Sequence, residues 1–231
     1  MTSKSALSKS IGICTETFST LQKSKTNKDY NALKAQWAKN VLSHLDLDLN
    51  VRGTVSEQPA TLFIGNHISY LDIPLLMSLV PGISFVAKQE IKKWPIFGKG
   101  AEKSDTVFVK RESHSSRNAA KESIQLALQQ NKRIVIFPSG TTCIDEQKSW
   151  RKGAFDIAQN IDCFVQPFRL SYEPLRDVAY IDDDFFPTHL YKLFKLKKVK
   201  AIIEFHEPVK ITNAIEDCLK WNSWAKELTS L

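Results

Sequence analysis

The sequence predicts a single α/β domain with a mixed, largely buried sheet flanked by helices, preceded by an N-terminal two-helix unit. Short runs of β-branched and aliphatic residues alternate along the chain with segments whose apolar residues recur at helical spacing. Alternation of this kind is typical of α/β domains. The length of 231 residues, with 42% hydrophobic and 25% charged residues, suits one sizeable globular domain.

The first 45 residues contain two predicted helices. One side of the first helix is apolar and consists of Leu7, Ile11, Cys14, Phe18 and Leu21. The second helix carries an apolar stripe between Tyr30 and Leu42. This pair is either a hairpin packed on the main domain or an interfacial hairpin whose apolar side enters lipid. We therefore divide the chain into a two-helix unit, residues 1–45, and a main domain, residues 46–231.

The main domain alternates strand and helix patterns. The predicted strands are residues 47–52, 61–65, 83–87, 106–109, 132–137, 163–171 and 201–205. The predicted helices are residues 73–79, 115–130, 153–160 and 214–228. Ser115 or Ser116 can cap the second of these helices, and Asn131 can end it in a left-handed conformation. Residues 94–98 form a turn-rich segment.

Charge and composition narrow the classes of partner and compartment. The 32 basic and 25 acidic residues give a net charge of +7, which favours an anionic partner. The four cysteines lack the spacing of a zinc site or a disulfide framework. The longest uncharged stretch, residues 73–87, is interrupted by Pro81 and Gly82 and is too short to span a bilayer. We expect a cytoplasmic protein, peripheral on the cytoplasmic face of a membrane.

A histidine and a carboxylate follow the predicted strand 61–65. His67 comes two residues after the strand, and Asp72 stands five residues further on, near the start of a helix with Pro74 in its first turn. Histidine titrates nearest neutral pH, and a carboxylate can orient its ring, so the pair suits a general base. Alternatively, Asp72 caps the helix and His67 is an ordinary loop histidine.

Chemically useful residues follow other predicted strands as well. Lys110 and Arg111 come after strand 106–109. The loop Ser139-Gly140-Thr141-Thr142 comes shortly after strand 132–137, and Arg151 and Lys152 precede a helix. Sites in α/β sheets form in the loops at one end of the strands, so we expect these residues to surround His67.

The order and spacing of these blocks resemble the glycerolipid acyltransferase family, the group of lysophosphatidate and glycerol-3-phosphate acyltransferases. Members of that family carry NHx4D, (V/I)F(I/V)xR, FPEGTR and FKxGA-type blocks, which correspond here to residues 66–72, 107–111, 137–142 and 150–154. The resemblance extends from about Trp37 to Ser171. It implies that residues 46–231 are a catalytic domain moving a fatty acyl group from a thioester to a lipid hydroxyl.

The resemblance also implies roles for single residues. His67 would be the general base and Asp72 its orienting partner. The substrate-binding residues would be Lys110, Arg111, Ser139, Gly140, Thr141, Thr142 and Lys152. Acyl-CoA or an acyl-carrier protein would be the co-substrate, with no metal and no further cofactor. The partners would be the donor, a lipid acceptor and a membrane surface.

Two positions depart from the family pattern. Ser139 stands where relatives have Glu, and Thr142 stands where they have Arg. Loss of a guanidinium removes a bidentate phosphate donor, so the acceptor stays open between lysophosphatidate and other hydroxyl-bearing lipids. The alternatives to acyl transfer are a catalytically weak or inactive lipid-binding relative and a thioesterase-like hydrolase.

The basic segment at residues 192–200 has three interpretations. Its lysines, interleaved with apolar residues, suit an anionic membrane surface or the phosphates of a CoA donor. They also suit a solvated helix end that leads into a strand. Nucleic-acid binding is disfavoured because no recognised nucleic-acid motif accompanies the charge.

Overall fold

One mixed seven-stranded sheet organises the computed structural model, which describes residues 5–27, 29–93, 97–110, 114–144 and 148–229. Its strands are β1 (Leu47–Arg52), β2 (Leu62–Gly65), β3 (Ile83–Lys88), β4 (Val107–Val109), β5 (Arg133–Ile136), β6 (Val165–Glu173) and β7 (Val199–Phe205). They lie in the order β1-β7-β6-β2-β5-β3-β4. The predicted α/β class with a mixed sheet is confirmed.

The strand directions bring several loops to one edge of the sheet. β2 runs parallel to both its neighbours, β5 and β6, and β3 continues the parallel set to β4. β7 runs antiparallel to β6 and pairs in parallel with β1, which makes the sheet mixed. The segments that follow β2, β5 and β4 therefore leave from the same edge.

Helices cover both faces of the sheet. They are α1 (Ala6–Lys23), α2 (Tyr30–Ser43), α3 (Asp72–Leu79), α4 (Phe97–Lys103), α5 (His114–Gln129), α6 (Gly153–Ile161), α7 (Leu175–Val178), α8 (Phe186–Lys195) and α9 (Ala214–Thr229), with a 3-10 helix at Gln89–Lys93. Phe63 of β2 packs in a core shared with α2, α3 and α8. Leu62 and Ile64 pack in the opposite core with α5, α6 and α9. This alternation buries β2 on both faces.

The element predictions were correct for most of the main domain and incomplete in three places. Asn131 adopts a left-handed φ of 60° after α5, as predicted for a helix stop. Helices α4, α7 and α8 were not predicted. Of the turn-rich segment 94–98, residues 94–96 lie outside the described residues, while Phe97 and Gly98 begin α4. In α8 the first turn contains Pro187, a residue that suits only that end of a helix.

The first helix packs on the domain through a side that the sequence did not single out. Lys9 is fully buried, and its Nζ donates to the Leu196 carbonyl at 2.8 Å and lies 3.3 Å from the Asp46 carboxylate. Four of the five residues on the predicted apolar side are exposed instead, among them Leu7 (69%), Ile11 (58%) and Phe18 (65%), while Leu21 is partly buried. The hairpin is thus docked while its apolar side stays uncovered. The division at residue 45 stays a prediction.

The basic segment 192–200 spans the end of α8 and the start of β7. Two of its lysines pair with surface carboxylates, Lys198 with Asp48 at 2.7 Å and Lys200 with Glu173 at 2.8 Å. Within the described ranges, none of the helices has the length and hydropathy needed to cross a membrane.

Gly65 ends β2 against the backbone of β6, and we predict that it tolerates no side chain. A Cβ there would lie 2.5 Å from the Phe168 carbonyl oxygen, so Gly65→Ala should force the two central strands apart. We expect a loss of about 3 kcal/mol in the free energy of unfolding, measured by urea titration.

The matched control is Gly100→Ala in α4, where a new Cβ meets nothing within 4 Å. That variant should keep its stability or gain up to about 1 kcal/mol, because alanine favours a helix over glycine. Equal stability of Gly65→Ala and the wild type would contradict the close approach of β2 and β6.

Lys34 gives the fold a predictable pH dependence. Its side chain on α2 is 3% exposed and donates to the Ile83 carbonyl at 2.6 Å. Burial lowers the pKa of Lys34 from 10.5 to about 8, so between these pH values the unfolded chain binds more protons here than the folded protein. The stability of the wild type should therefore rise relative to Lys34→Met across that window.

The expected rise is at most about 3 kcal/mol, because each unit of pKa shift corresponds to roughly 1.4 kcal/mol. Parallel urea titrations of the two proteins from pH 8 to pH 10.5 measure it, since these are the two limiting pKa values of Lys34. A difference that stays constant over this window would contradict the burial of the ammonium group.

Candidate active site

The Asp72 carboxylate is completely buried at the first turn of α3 and accepts four hydrogen bonds. Oδ2 accepts from His67 Nδ1 at 2.7 Å and from the backbone N–H groups of Ile68 at 2.8 Å and Ser69 at 3.1 Å. Oδ1 accepts from the Tyr172 hydroxyl at 2.7 Å. The N-cap of α3 is Leu71, and the carboxylate turns back to the preceding loop rather than capping the helix.

These contacts determine which nitrogen of His67 carries the proton. Since Asp72 Oδ2 already accepts two backbone N–H groups, it acts as an acceptor toward the ring, and Nδ1 must donate. Nε2 then keeps its lone pair, as a general base requires. The imidazole is 19% exposed and stacks on the Phe137 ring, with centroids 4.0 Å apart. His67 is therefore held by Asp72 and Phe137 while its side chain stays partly exposed.

Asn66 explains why the motif begins with an amide. Its side chain is completely buried and pairs with the backbone of Leu170, accepting from N–H at 2.7 Å and donating to C=O at 2.8 Å. This pairing attaches the residue after β2 to β6, as a further ladder pair would. The sequence placed Asn66 in the motif but did not predict this role.

The loop at residues 139–142 lies directly beside the His67 loop, as predicted. Cys143 N–H donates to the His67 carbonyl at 2.8 Å, and Gly140 adopts a left-handed φ of 75° that L side chains rarely take. Ser139 Oγ donates to the Thr141 carbonyl at 2.7 Å. Thr142 Oγ1 donates to the Tyr180 carbonyl. Both hydroxyls therefore direct their protons to the backbone and keep lone pairs for other donors.

Tyr180, in the segment between α7 and α8, also contacts the loop that carries His67. Tyr180 N–H donates to the Ile68 carbonyl at 3.0 Å, so the segment that follows α7 is held against the loop between β2 and α3. Three segments distant in sequence thus meet at the histidine. No residue pattern could have predicted this contact, because it joins backbone atoms.

Of the predicted cations, Lys110 and Lys152 belong to the described residues, and they follow strands that lie at different distances from β2. Lys152 precedes α6, is exposed, and lies 3.4 Å from Asp156 Oδ1. Its neighbour Arg151 is joined through its N–H to the Pro138 carbonyl at 3.2 Å. Lys110 follows β4, three strands away from β2, a separation of about 14 Å at ordinary strand spacing. Arg111 lies outside the described residues.

A cavity of about 320 Å³ with almost entirely apolar walls adjoins the start of α3. Residues on both sides of Asp72 line it, namely Tyr70, Leu71, Ile73 and Pro74. Further wall residues come from α1, α2, α4, α8 and β3, among them Leu21, Trp37, Phe85, Ala101 and Leu190. A cavity of this volume and lining suits an apolar ligand.

The donor set near His67 is not that of a metal centre. In the part of the chain that the structure describes, no three histidine, cysteine or carboxylate side chains are grouped as metal ligands. The prediction that the reaction needs no metal and no further cofactor stays a prediction.

Comparison with known proteins identifies the family. The model of the family described as Acyltransferase matches residues 48–171. The chain is 32% identical over 178 residues to the lyso-ornithine lipid O-acyltransferase of Pseudomonas aeruginosa, covering 75% of this chain and 68% of that protein. It is 34% identical over 186 residues to the 1-acyl-sn-glycerol-3-phosphate acyltransferase of Neisseria meningitidis, covering 76% and 71%.

A solved structure has the same fold. It is the crystal structure of the 1-acyl-sn-glycerophosphate (LPA) acyltransferase PlsC from Thermotoga maritima, with a TM-score of 0.67 and 20% identity, covering 91% of this chain and 86% of that one. The family match spans the histidine, the 139–142 loop and the strands that carry them. The resemblance seen in the sequence blocks is confirmed, and the chain belongs to the acyltransferase family.

Proposed function

We propose that the protein transfers a fatty acyl group from an acyl thioester to the hydroxyl of a lysophospholipid or related lipid, with His67 as general base. The observation that carries the proposal is the 2.7 Å hydrogen bond between His67 Nδ1 and Asp72 Oδ2. It leaves Nε2 as the proton acceptor of a side chain that is 19% exposed.

The proposed reaction is a direct transfer. His67 Nε2 takes the proton of the acceptor hydroxyl while the oxygen attacks the thioester carbonyl. The tetrahedral intermediate then collapses, the C–S bond breaks, and the thiolate recovers the proton from the imidazolium. Asp72 stabilises the imidazolium between these two steps. The products are an ester and a free thiol, and no covalent enzyme intermediate is required.

The apolar cavity supports a fatty acyl donor. An acyl chain inside it would leave its thioester at the first turn of α3, beside the pair formed by His67 and Asp72. The phosphates of CoA or of a carrier protein's prosthetic group would then meet the cations of the same sheet edge. Lys110, Arg111 and Lys152 are the residues proposed for this role.

Thr142 bears on the choice of acceptor. Where the family pattern has arginine, this loop offers the Thr142 hydroxyl, which is already bonded to the Tyr180 carbonyl. Both the Pseudomonas relative, named for lyso-ornithine lipid, and the Neisseria relative, named for 1-acylglycerol-3-phosphate, supply candidates. Because the bidentate phosphate donor is missing, we place a lyso-ornithine lipid first and lysophosphatidate second.

The exposed side of α1 supports a membrane surface as partner. Leu7, Ile11 and Phe18 are each more than half exposed on a helix that is otherwise docked, and the exposed Lys23 and Lys25 stand at the end of that helix. A helix of this kind places its apolar side in the headgroup region and its cations against anionic lipid. Peripheral attachment would bring the cavity close to lipid substrates.

The assay that tests the function is acceptor-dependent thiol release from acyl-CoA and acyl-carrier protein, with a panel of lysolipids. We predict that His67→Ala lowers kcat by at least about 10²-fold, the usual contribution of a general base. His206→Ala, at an exposed histidine outside the site, serves as the matched control and should behave as the wild type.

Other outcomes of the assay would favour the rival functions. Thiol release that ignores the acceptor would indicate a thioesterase. A folded protein that binds lysolipid without releasing thiol would be the lipid-binding relative. Full activity in His67→Ala would reject the general-base assignment.

The acceptor proposal predicts the effect of restoring arginine at position 142. Thr142→Arg should raise kcat/KM for lysophosphatidate relative to lyso-ornithine lipid by about tenfold, the effect of roughly 1.4 kcal/mol from a charge-assisted bond to phosphate. Thr142→Gln controls for side-chain size without charge. If Thr142→Arg leaves the ratio of the two kcat/KM values unchanged, the 139–142 loop does not recognise the polar head of the acceptor.

A further inference from the structure

We propose that Tyr172 is a positioning residue for the acyl transfer, fixing the Asp72 carboxylate and setting how tightly His67 holds its proton. The inference rests on the proposed function, because it assumes that His67 is the base. Tyr172 is 100 residues away from Asp72 in sequence and belongs to none of the four motif blocks.

The two carboxylate oxygens of Asp72 accept hydrogen bonds from different donors. Oδ2 receives His67 and the two backbone N–H groups, whereas Oδ1 receives Tyr172 at 2.7 Å. Within the described residues, Oδ1 accepts its hydrogen bond from the Tyr172 hydroxyl. Tyr172 itself lies on β6 and is 4% exposed, so its phenol is held in place by the core.

The phenol remains a donor over the working pH range. Burial, together with the adjacent Asp72 charge, holds the pKa of Tyr172 well above its usual range. Its O–H dipole therefore points its positive end at the carboxylate. That dipole withdraws part of the negative charge that would otherwise stabilise the imidazolium of His67, and so favours the neutral ring that can accept a proton.

Removing the hydroxyl should therefore make His67 hold a proton more tightly. The acid limb of the pH profile of kcat/KM, where the rate falls as the base becomes protonated, would move to higher pH. A residue that only filled space would change stability or overall rate without moving this limb.

Among the residues that the structure describes, the titratable groups hydrogen-bonded to Asp72 are His67 from the loop after β2 and Tyr172 from β6. A separate network lies toward α8, where Tyr70 bonds His189 Nδ1 at 2.9 Å and Asp184 lies 4.0 Å from His189 Nε2. The position-172 variants leave His67, Asp72 and the Tyr70–His189–Asp184 network unchanged, so a shift of the acid limb in those variants can be assigned to the Tyr172 hydroxyl.

The test compares pH profiles of kcat/KM for the full-length wild type, Tyr172→Phe, and the protein carrying 3-fluorotyrosine at position 172. Fluorination makes the phenol a stronger donor with little change in size, which keeps the proposal testable if Tyr172→Phe does not fold. Tyr191→Phe is the matched control, at a tyrosine that is 53% exposed on α8.

We expect the acid limb of Tyr172→Phe to move up by about half a pH unit or more, and that of the fluorotyrosine protein to move down by less. Tyr191→Phe should superimpose on the wild type. If the acid limbs of all folded variants coincide and His67→Ala is inactive, the proposed role of Tyr172 is wrong while the proposed function stands. Activity retained in His67→Ala would instead overturn the proposed function, and this inference with it.

Discussion

The buried charge of Asp72 is the constraint on which the candidate site depends. A carboxylate with no solvent contact is costly unless its oxygens are fully hydrogen-bonded. Here the donors come from the loop after β2 and from β6, while the carboxylate itself belongs to α3. The carboxylate therefore has all its hydrogen-bond donors only when β6, the loop after β2 and α3 are assembled. The site accordingly forms only in the folded protein.

The central strands supply the rigidity that this arrangement needs. Gly65 lets β2 approach β6 closely, and the Asn66 side chain extends the pairing by one residue beyond the strand. His67 thus starts from a fixed point, with its carbonyl held by Cys143 and that of Ile68 held by Tyr180. Precise placement of a base is what distinguishes a working pair from two polar residues that happen to be near each other.

The sequence predicted the parts of the fold and site that depend on local patterns. The spacing of His67 and Asp72 and the turn chemistry of Asn131 follow from neighbours in the chain. The partner of Asp72 Oδ1 could not be predicted, because Tyr172 looks like any strand residue until β6 is placed beside β2. Burial of Lys9 and Lys34 is equally invisible, since each depends on a carbonyl far away in sequence. The outward side of α1 shows the same limit, because periodicity finds an apolar side without saying what covers it.

The central claim is that Asp72 holds His67 with Nδ1 protonated and Nε2 available as the base. Long-range 1H–15N spectra of protein labelled with 15N-histidine measure this directly, at a pH where the ring is neutral, with His67→Gln used to assign its signals among the five histidines. We predict a protonated Nδ1 and an unprotonated Nε2 for His67. A neutral ring protonated at Nε2 would contradict the proposed mechanism.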